Sequence, residues 1–396
     1  MTLPAIVSTV PAFVTDFGGP YVSKSGMAKA LAAKGCDVTI LTTDIASIDG
    51  RRVAPEEHRD QVRQWQQWGV RLVRMPYSVH YRWATASLYA PSAVWQALRR
   101  GQRERGAVVS HIAGYREGLG STASLVAQTL RVPVVWEPMG MARAAGRSLI
   151  KKQIVDQSLG RLTLRRAQRI ITTSPVERDE LLALGVEAER LYVRANGLEE
   201  LPAWLQQGDP TTWRAQARQR LGLDPDERIV LYLGRITERK GLALIADAMR
   251  SAPGRFFLVG PDEQDGTWPR VQAALGDRAV MPGAVQGDAK WDWVAAADIF
   301  ALAPTHGENF AMSALEAAAV GTPLVLSAAV GFGSMMPAGT GHIVPLDVHQ
   351  WSQALAAPAP KVALSDVRAL RHDFSWSGIV DRQLEVYQSV LSGQGS

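Results

Sequence analysis

Glu308 and Glu316 fall in the run His306-Gly-Glu-Asn-Phe-Ala-Met-Ser-Ala-Leu-Glu-Ala-Ala-Ala-Val-Gly-Thr-Pro, and the second lies in an otherwise apolar stretch. The spacing predicts a short buried helix over 310–320 in which Ser313 and Glu316 share one face, with Gly321 as its stop. An ionised carboxylate in apolar surroundings requires hydrogen bonds or opposite charge, so Glu316 is expected to face a ligand, a cation or a backbone donor. Glu308 stands ahead of the helix. There the N–H groups of Asn309, Phe310, Ala311 and Met312, with the positive end of the dipole, would cradle an anion such as phosphate. The blander alternative has Glu308 capping the helix and Glu316 paired with a nearby arginine.

Upstream, the β-rich run Ile229 to Leu233 ends in Gly234-Arg235, and Lys240-Gly241 precedes an amphipathic stretch from Leu242 to Met249. This reads as strand, loop and helix. Two cations on the loop at the carboxyl end of a strand in an open α/β sheet occupy the place where such sheets bind ligands. The planar fork of Arg235 and the point charge of Lys240 suit a diphosphate that must depart with added negative charge. A solvated basic turn is the alternative, for which Arg239 is the better candidate. His111, in Val108-Val-Ser-His-Ile-Ala-Gly114, is expected on a loop just beyond a strand, where a lone histidine is either structural or a hydrogen-bonding group of a site.

The elements that must position these residues repeat as strand, turn and helix in both halves, the pattern of parallel sheets covered on both faces. In the first half, strands are expected at 5–10, 37–42, 71–74, 107–110, 132–136 and 170–173, with a helix over 21–34. In the second half they are expected at 229–233, 256–259, 279–281, 299–302 and 324–326. Pro202, Gly208 and Pro210 interrupt the periodicity and mark a linker.

Taken in order, Gly234-Arg235 with Lys240-Gly241, then Gly260-Pro261-Asp262, then Glu308-Asn-Phe followed by Glu316-Ala, resemble the nucleotide-sugar half of a family-four retaining glycosyltransferase with the GT-B fold. The resemblance extends over nearly the whole chain. It includes Gly18-Gly19-Pro20, the run from Gly35 to Thr43, His111, Asn196-Gly197, and Phe374-Ser-Trp376 ahead of an amphipathic helix. It implies an α/β chain of two Rossmann-like doubly wound domains facing a central cleft. Residues 1–200 with 377–396 would form the acceptor-side domain and 201–376 the nucleotide-sugar-binding domain, the last helix crossing back to the first.

The resemblance also implies roles. Arg235 and Lys240 would stabilise the leaving diphosphate, Glu308 the hydroxyls of the transferred sugar, and Glu316 the ribose. The base would lie against backbone near Val285, and Gly18, Gly19 and residues 309–312 would add main-chain donors. His111 would lie near the sugar and phosphate. Configuration at the anomeric carbon would be retained, with the leaving phosphate helping to deprotonate a glycan or lipid-linked acceptor, as in bacterial polysaccharide or lipopolysaccharide biosynthesis. The nucleotide-diphosphate sugar is a co-substrate, so no cofactor is expected. Ala311, where many relatives have glycine, Gly341-His342 and His306-Gly307 depart from the family pattern.

Length and composition agree with two domains, because 396 residues exceed one ordinary core. The single Cys36 excludes an internal disulfide framework and points to a reducing compartment. The apolar start from Leu3 to Val14 contains Pro4 and Pro11 and lacks a basic leader region, so a cytoplasmic location is expected. The uncharged stretch 317–341 is broken by Pro323, Pro337 and glycines, which disfavours a membrane span. Asp224-Pro-Asp226 reads as a turn, so no metal site is expected.

Charge is uneven. Residues 1–200 carry 27 Lys and Arg against 18 Asp and Glu, and within 51–169 the count is 21 against 7, together with Trp65, Trp68, Trp83, Trp95 and Trp136. Such a surface suits an anionic bilayer or a lipid-diphosphate acceptor. Nucleic acid is not expected, since no recognised binding motif accompanies the charge. A dehydrogenase is disfavoured because no Gly-x-Gly-x-x-Gly follows the first strand. A sugar-nucleotide epimerase and a non-catalytic nucleotide-binding scaffold are the alternatives to transfer.

Overall fold

A computed structural model describes residues 3–47, 51–76, 90–116, 118–142, 161–285, 287–305 and 307–393. Trp83, His306 and the basic stretch 143–160 lie outside them. The chain divides into two units. One holds residues 1–173, 177–197 and 376–396, and the other holds 174–176 and 198–375.

The first unit is built on seven parallel strands: β1 (Ala5–Thr9), β2 (Asp37–Thr43), β3 (Val70–Met75), β4 (Val108–Ala113), β5 (Val134–Glu137), β6 (Arg169–Thr172) and β7 (Leu191–Val193). Their order is β3-β2-β1-β4-β5-β6-β7. The second unit is a sheet of six parallel strands: β8 (Ile229–Leu233), β9 (Arg255–Val259), β10 (Ala279–Gly283), β11 (Ile299–Leu302), β12 (Leu324–Leu326) and β13 (Gly341–Ile343). Its order is β10-β9-β8-β11-β12-β13. Both sheets reverse direction of winding beside their first strand, between β1 and β4 and between β8 and β11. At such a switch point the loops diverge and open a crevice at the carboxyl ends of the strands.

The central strands read as near-continuous apolar runs because both faces are covered. Ile229 to Tyr232, Phe256 to Val259 and Ile299 to Leu302 are all buried. In the first unit, Val7, Val108, Ile112, Val134, Trp136 and Ile170 meet Leu98, Leu119 and Ala123 of the covering helices. The terminal helix Trp376–Leu391 packs in the first unit against the helix Gly19–Ala33. Trp376 fills the space above Gly26 and Gly197, where any Cβ would overlap its indole ring. That contact explains the Asn196-Gly197 motif, and Asn196 adds a hydrogen bond from Ser23 Oγ at 2.6 Å.

Several expectations need correction. The strand expected at 107–110 continues to Ala113, so His111 is in a strand and not on a loop. The helix expected over 310–320 is confined to Met312–Ala318. Two short strands, β7 and β13, were not expected at all. Among the described residues no helix is long and apolar enough to cross a membrane.

Candidate functional site

Loops at the carboxyl edge of the second sheet hold the residues singled out in that half. Arg235 follows β8, and Lys240 closes the short 3-10 turn Glu238–Lys240 before the helix Leu242–Met249. Val285 follows β10, and Glu308 with Asn309, Phe310 and Ala311 follows β11. Close backbone crossings set these loops. Gly260, at the end of β9, has φ 150°, and a Cβ there would overlap the carbonyl of Gly234. Gly241 lies against the carbonyl of Ala303 in the same way. Only glycine permits such approaches. The Tyr232 hydroxyl then donates to the Arg235 carbonyl at 2.6 Å, tying the loop to its own strand.

Both cations singled out on this edge face an acid. Lys240 pairs with Glu308 and Arg235 with Glu263. The first pair is mostly shielded, while the second is close to half exposed. Glu308 is held by its backbone, its N–H donating to Ala329 at 3.2 Å and its carbonyl accepting from Gly331 at 2.8 Å. Both cations are therefore held on the loops of one edge, each against a carboxylate.

Ala311, the residue that departs from the family pattern, has φ 68° and initiates the helix Met312–Ala318. A side chain in left-handed backbone costs about 1–2 kcal/mol, and glycine would relieve that strain but lose part of the gain to its larger unfolded-state entropy. Ala311→Gly is therefore expected to leave stability unchanged or raise it by up to about 1 kcal/mol, measured as a shift in the urea midpoint. A clear loss would mean that packing of the buried methyl outweighs the strain.

Glu316 is buried in that helix, and its partner is a lysine rather than an arginine. Lys290 Nζ lies 2.7 Å from Glu316 Oε1 and also pairs with Glu199. Burial pushes the Glu316 carboxyl up, opposed by Lys290. Burial likewise acts to lower the Lys290 ammonium, but Glu316 and Glu199 outweigh it and its pKa is raised. Nothing local in the sequence marked Lys290, since its partner is on another helix.

In the first unit, Gly18 has φ 59° and, with Gly19, opens the helix Gly19–Ala33, which has Pro20 in its first turn. His111 is buried, with its Nδ1 2.8 Å from the Tyr387 hydroxyl and its Nε2 3.2 Å from Glu137 Oε2. A neutral imidazole protonated at Nε2 fits both neighbours, and burial lowers the pKa of His111. Glu137, fully buried, also meets Lys24 and, at 2.8 Å, Arg194 Nη2. Burial pushes the Glu137 carboxyl up, yet Arg194 and then Lys24 outweigh it and hold it well below its usual 4.5. Burial draws the Lys24 ammonium down to about 8. Sequence reasoning missed this cluster. The sheet brings His111 and Glu137 together from β4 and β5, and Lys24, Arg194 and Tyr387 come from far along the chain. Asp224 and Asp226 form a turn, the Asp226 N–H donating to Asp224 Oδ1 at 2.8 Å.

Two all-parallel α/β units, each with a switch point beside its first strand, define the GT-B architecture of glycosyltransferases. The chain belongs to the group 1 glycosyltransferases and is a glycosyltransferase. Residues 18–197 match the family model described as Glycosyl transferase 4-like domain, and residues 227–357 match that described as Glycosyl transferases group 1. The chain is similar to D-inositol 3-phosphate glycosyltransferase 1 of Catenulispora acidiphila, 28% identical over 69% of this chain and 71% of the relative. The D-inositol 3-phosphate glycosyltransferase of Kineococcus radiotolerans is 29% identical over 64% of this chain and 62% of the relative. Among solved structures, sucrose-phosphate synthase from Thermosynechococcus elongatus has the same fold, with a TM-score of 0.72 at 22% identity, covering 98% of this chain and 100% of that one. Anabaena HepE in complex with UDP and glucose gives 0.69 at 17% identity over 98% of this chain and 100% of that one.

Proposed function

We propose that the protein is a retaining, metal-independent glycosyltransferase that moves a sugar from a nucleotide-diphosphate sugar to a hydroxyl of a glycan or lipid-linked acceptor. The observation that carries this reading is the pairing of Lys240 with Glu308 on adjoining loops at the carboxyl edge of the second sheet. The anionic leaving group would take Lys240 and Arg235 as its cations, and Glu308, released from Lys240, would accept hydrogen bonds from the sugar hydroxyls. Fixed cations aimed at charge that develops only as the bond breaks favour the transition state over the bound donor. Glu316 would accept from the ribose and the backbone at Val285 from the base. Attack from the face that the leaving group departs lets the phosphate oxygen take the acceptor proton, and the configuration is retained.

The proposed chemistry is assigned without His111, whose two ring nitrogens face Tyr387 and Glu137. The similarity to HepE, whose structure is a complex with UDP and glucose, supports a nucleotide-sugar donor. The basic first half supports an anionic acceptor such as a lipid diphosphate, presented at the cytoplasmic face of a membrane by peripheral contact in polysaccharide assembly. The curated relatives' name keeps a phosphorylated inositol as the competing acceptor.

The test is turnover of UDP-, GDP- and ADP-sugars with a chelator present, offering lipid-diphosphate acceptors in anionic vesicles and, separately, inositol phosphate. Acceptor-dependent nucleotide release is expected, with the donor's anomeric configuration kept in the product by NMR. An inverted product would overturn retention. Donor isomerisation without an acceptor would indicate an epimerase, and nucleotide binding without turnover a scaffold. Transfer to inositol phosphate alone would overturn the lipid-linked acceptor.

A further inference from the structure

Lys290 stands in the first turn of the helix Ala289–Ala296, a few residues beyond Val285, and is paired with Glu316. Its side chain is 16% exposed, that of Glu316 5% and that of Glu199 37%. Among the described residues, the charged groups facing Glu316 are Lys290, from the helix that follows β10, and Glu199, from the segment that enters the second unit. One ammonium serves two carboxylates, and the more buried of the two depends on it more, because Glu199 retains water. Its chain neighbours Ala314, Leu315, Ala317 and Ala318 are all buried and carry no polar side chain.

A carboxylate can accept hydrogen bonds from two ribose hydroxyls only while ionised, since a protonated one turns an acceptor into a donor. We propose that Lys290 is a positioning residue for the nucleotide, holding Glu316 as a carboxylate with Oε1 committed to the ammonium and Oε2 left to accept from the ribose. This rests on the reading of Glu316 as the ribose ligand given above. Lys290 need not touch the nucleotide. Its effect passes through the protonation and orientation of Glu316, and Glu199 sets how much of the lysine's charge is available. Without the ammonium, burial and the nearby Glu199 would both favour the neutral acid. Donor binding would then depend on pH more steeply than in the natural chain.

The experiment measures dissociation constants for UDP and GDP by calorimetry from about pH 6 to about pH 8.5, spanning the range in which a buried carboxyl can titrate. It compares the natural chain with Lys290→Met, Lys290→Arg and Glu316→Gln. Taking each variant as a ratio to the natural chain at the same pH removes the titration of the nucleotide itself. For Lys290→Met the ratio is expected to reach about tenfold at the acid end and to shrink as pH rises, one pKa unit of Glu316 corresponding to a factor of ten. Lys290→Arg is expected to restore a flat ratio. In turnover assays, the loss for Lys290→Met should fall on the donor KM rather than on kcat.

Glu316→Gln is expected to bind weakly at every pH, and adding Lys290→Met to it should introduce no pH dependence. A ratio for Lys290→Met that is the same at all pH values overturns the proposal, because bracing of the fold or direct contact with the nucleotide would produce that result. Natural affinity in Glu316→Gln instead overturns the ribose role of Glu316, whatever Lys290→Met does. If Lys290→Met does not fold, Lys290→Gln, which keeps a hydrogen bond and drops the charge, decides by the same ratio.

Discussion

Glu137→Gln is expected to destabilise the first unit by about 3–5 kcal/mol, the usual cost of removing one partner from a buried ion pair. Glu137 is the anion between Lys24 and Arg194, and all three are almost completely shielded from water. The amide keeps the shape but leaves two buried cations facing each other. Denaturant unfolding should show the loss directly, and a change below about 1 kcal/mol would fit an exposed pair instead. Exchanging Lys24 for methionine in the same chain should recover part of the loss, because one uncompensated charge is then gone.

The pH dependence has a definite sign. The folded pKa of Glu137 lies well below the unfolded 4.5, so its stabilisation is fully present above that value and fades as pH falls through the folded pKa. The Lys24 ammonium, drawn to about 8 from 10.5, binds fewer protons folded than unfolded between those values, so its contribution makes stability rise with pH there. In Glu137→Gln the acid limb should vanish and the alkaline limb widen, since Lys24 has lost the carboxylate that held its proton.

Lys240→Ala is expected to lower turnover by about 10²–10³-fold, the range found when one preorganised group that stabilises developing charge is removed. In the free protein Lys240 is already held by Glu308 in a mostly shielded pair, so its charge is fixed in place before a donor arrives. The bound donor meets Lys240 with its sugar attached, and the added charge of the departing diphosphate appears only as the bond breaks. The loss should therefore fall on kcat more heavily than on nucleotide affinity. Arg235→Ala should cost less, because Arg235 is far more exposed in its pair with Glu263 and water can replace part of its role. Steady-state kinetics beside UDP calorimetry separate the two quantities. An unchanged kcat with weakened UDP binding would make Lys240 a simple anchor and remove it from the proposed chemistry.

Much of this was legible from local pattern. Alternating strand, turn and helix signals located eleven of the strands, and Gly234-Arg235 with Lys240-Gly241 marked a loop that the structure sets at the carboxyl edge of its sheet. The errors have physical causes. Ser110 and His111 interrupt an apolar run and so imitate the end of a strand, yet both are buried inside β4. β7 and β13 are three residues each and are edge strands with a single neighbour, so little hydrophobic pattern is needed to form them. The N-terminal boundary of the helix at Met312 was misjudged because Ala311 takes a left-handed conformation usual for glycine.

By itself, the sequence determined the two-unit parallel α/β organisation, the family, and the loops on which the basic and acidic residues of the site ride. Those properties depend on period, turn chemistry and residue order, all of them local along the chain. Tertiary structure alone decided who neutralises whom: Lys290 for Glu316, Glu308 for Lys240, and Lys24 with Arg194 for Glu137. An ion pair needs its members within a few ångströms, and here they come from separate strands and helices that only the packed sheets bring together. For the same reason His111, which local pattern assigned to an open loop, proves to be part of a buried ionic cluster.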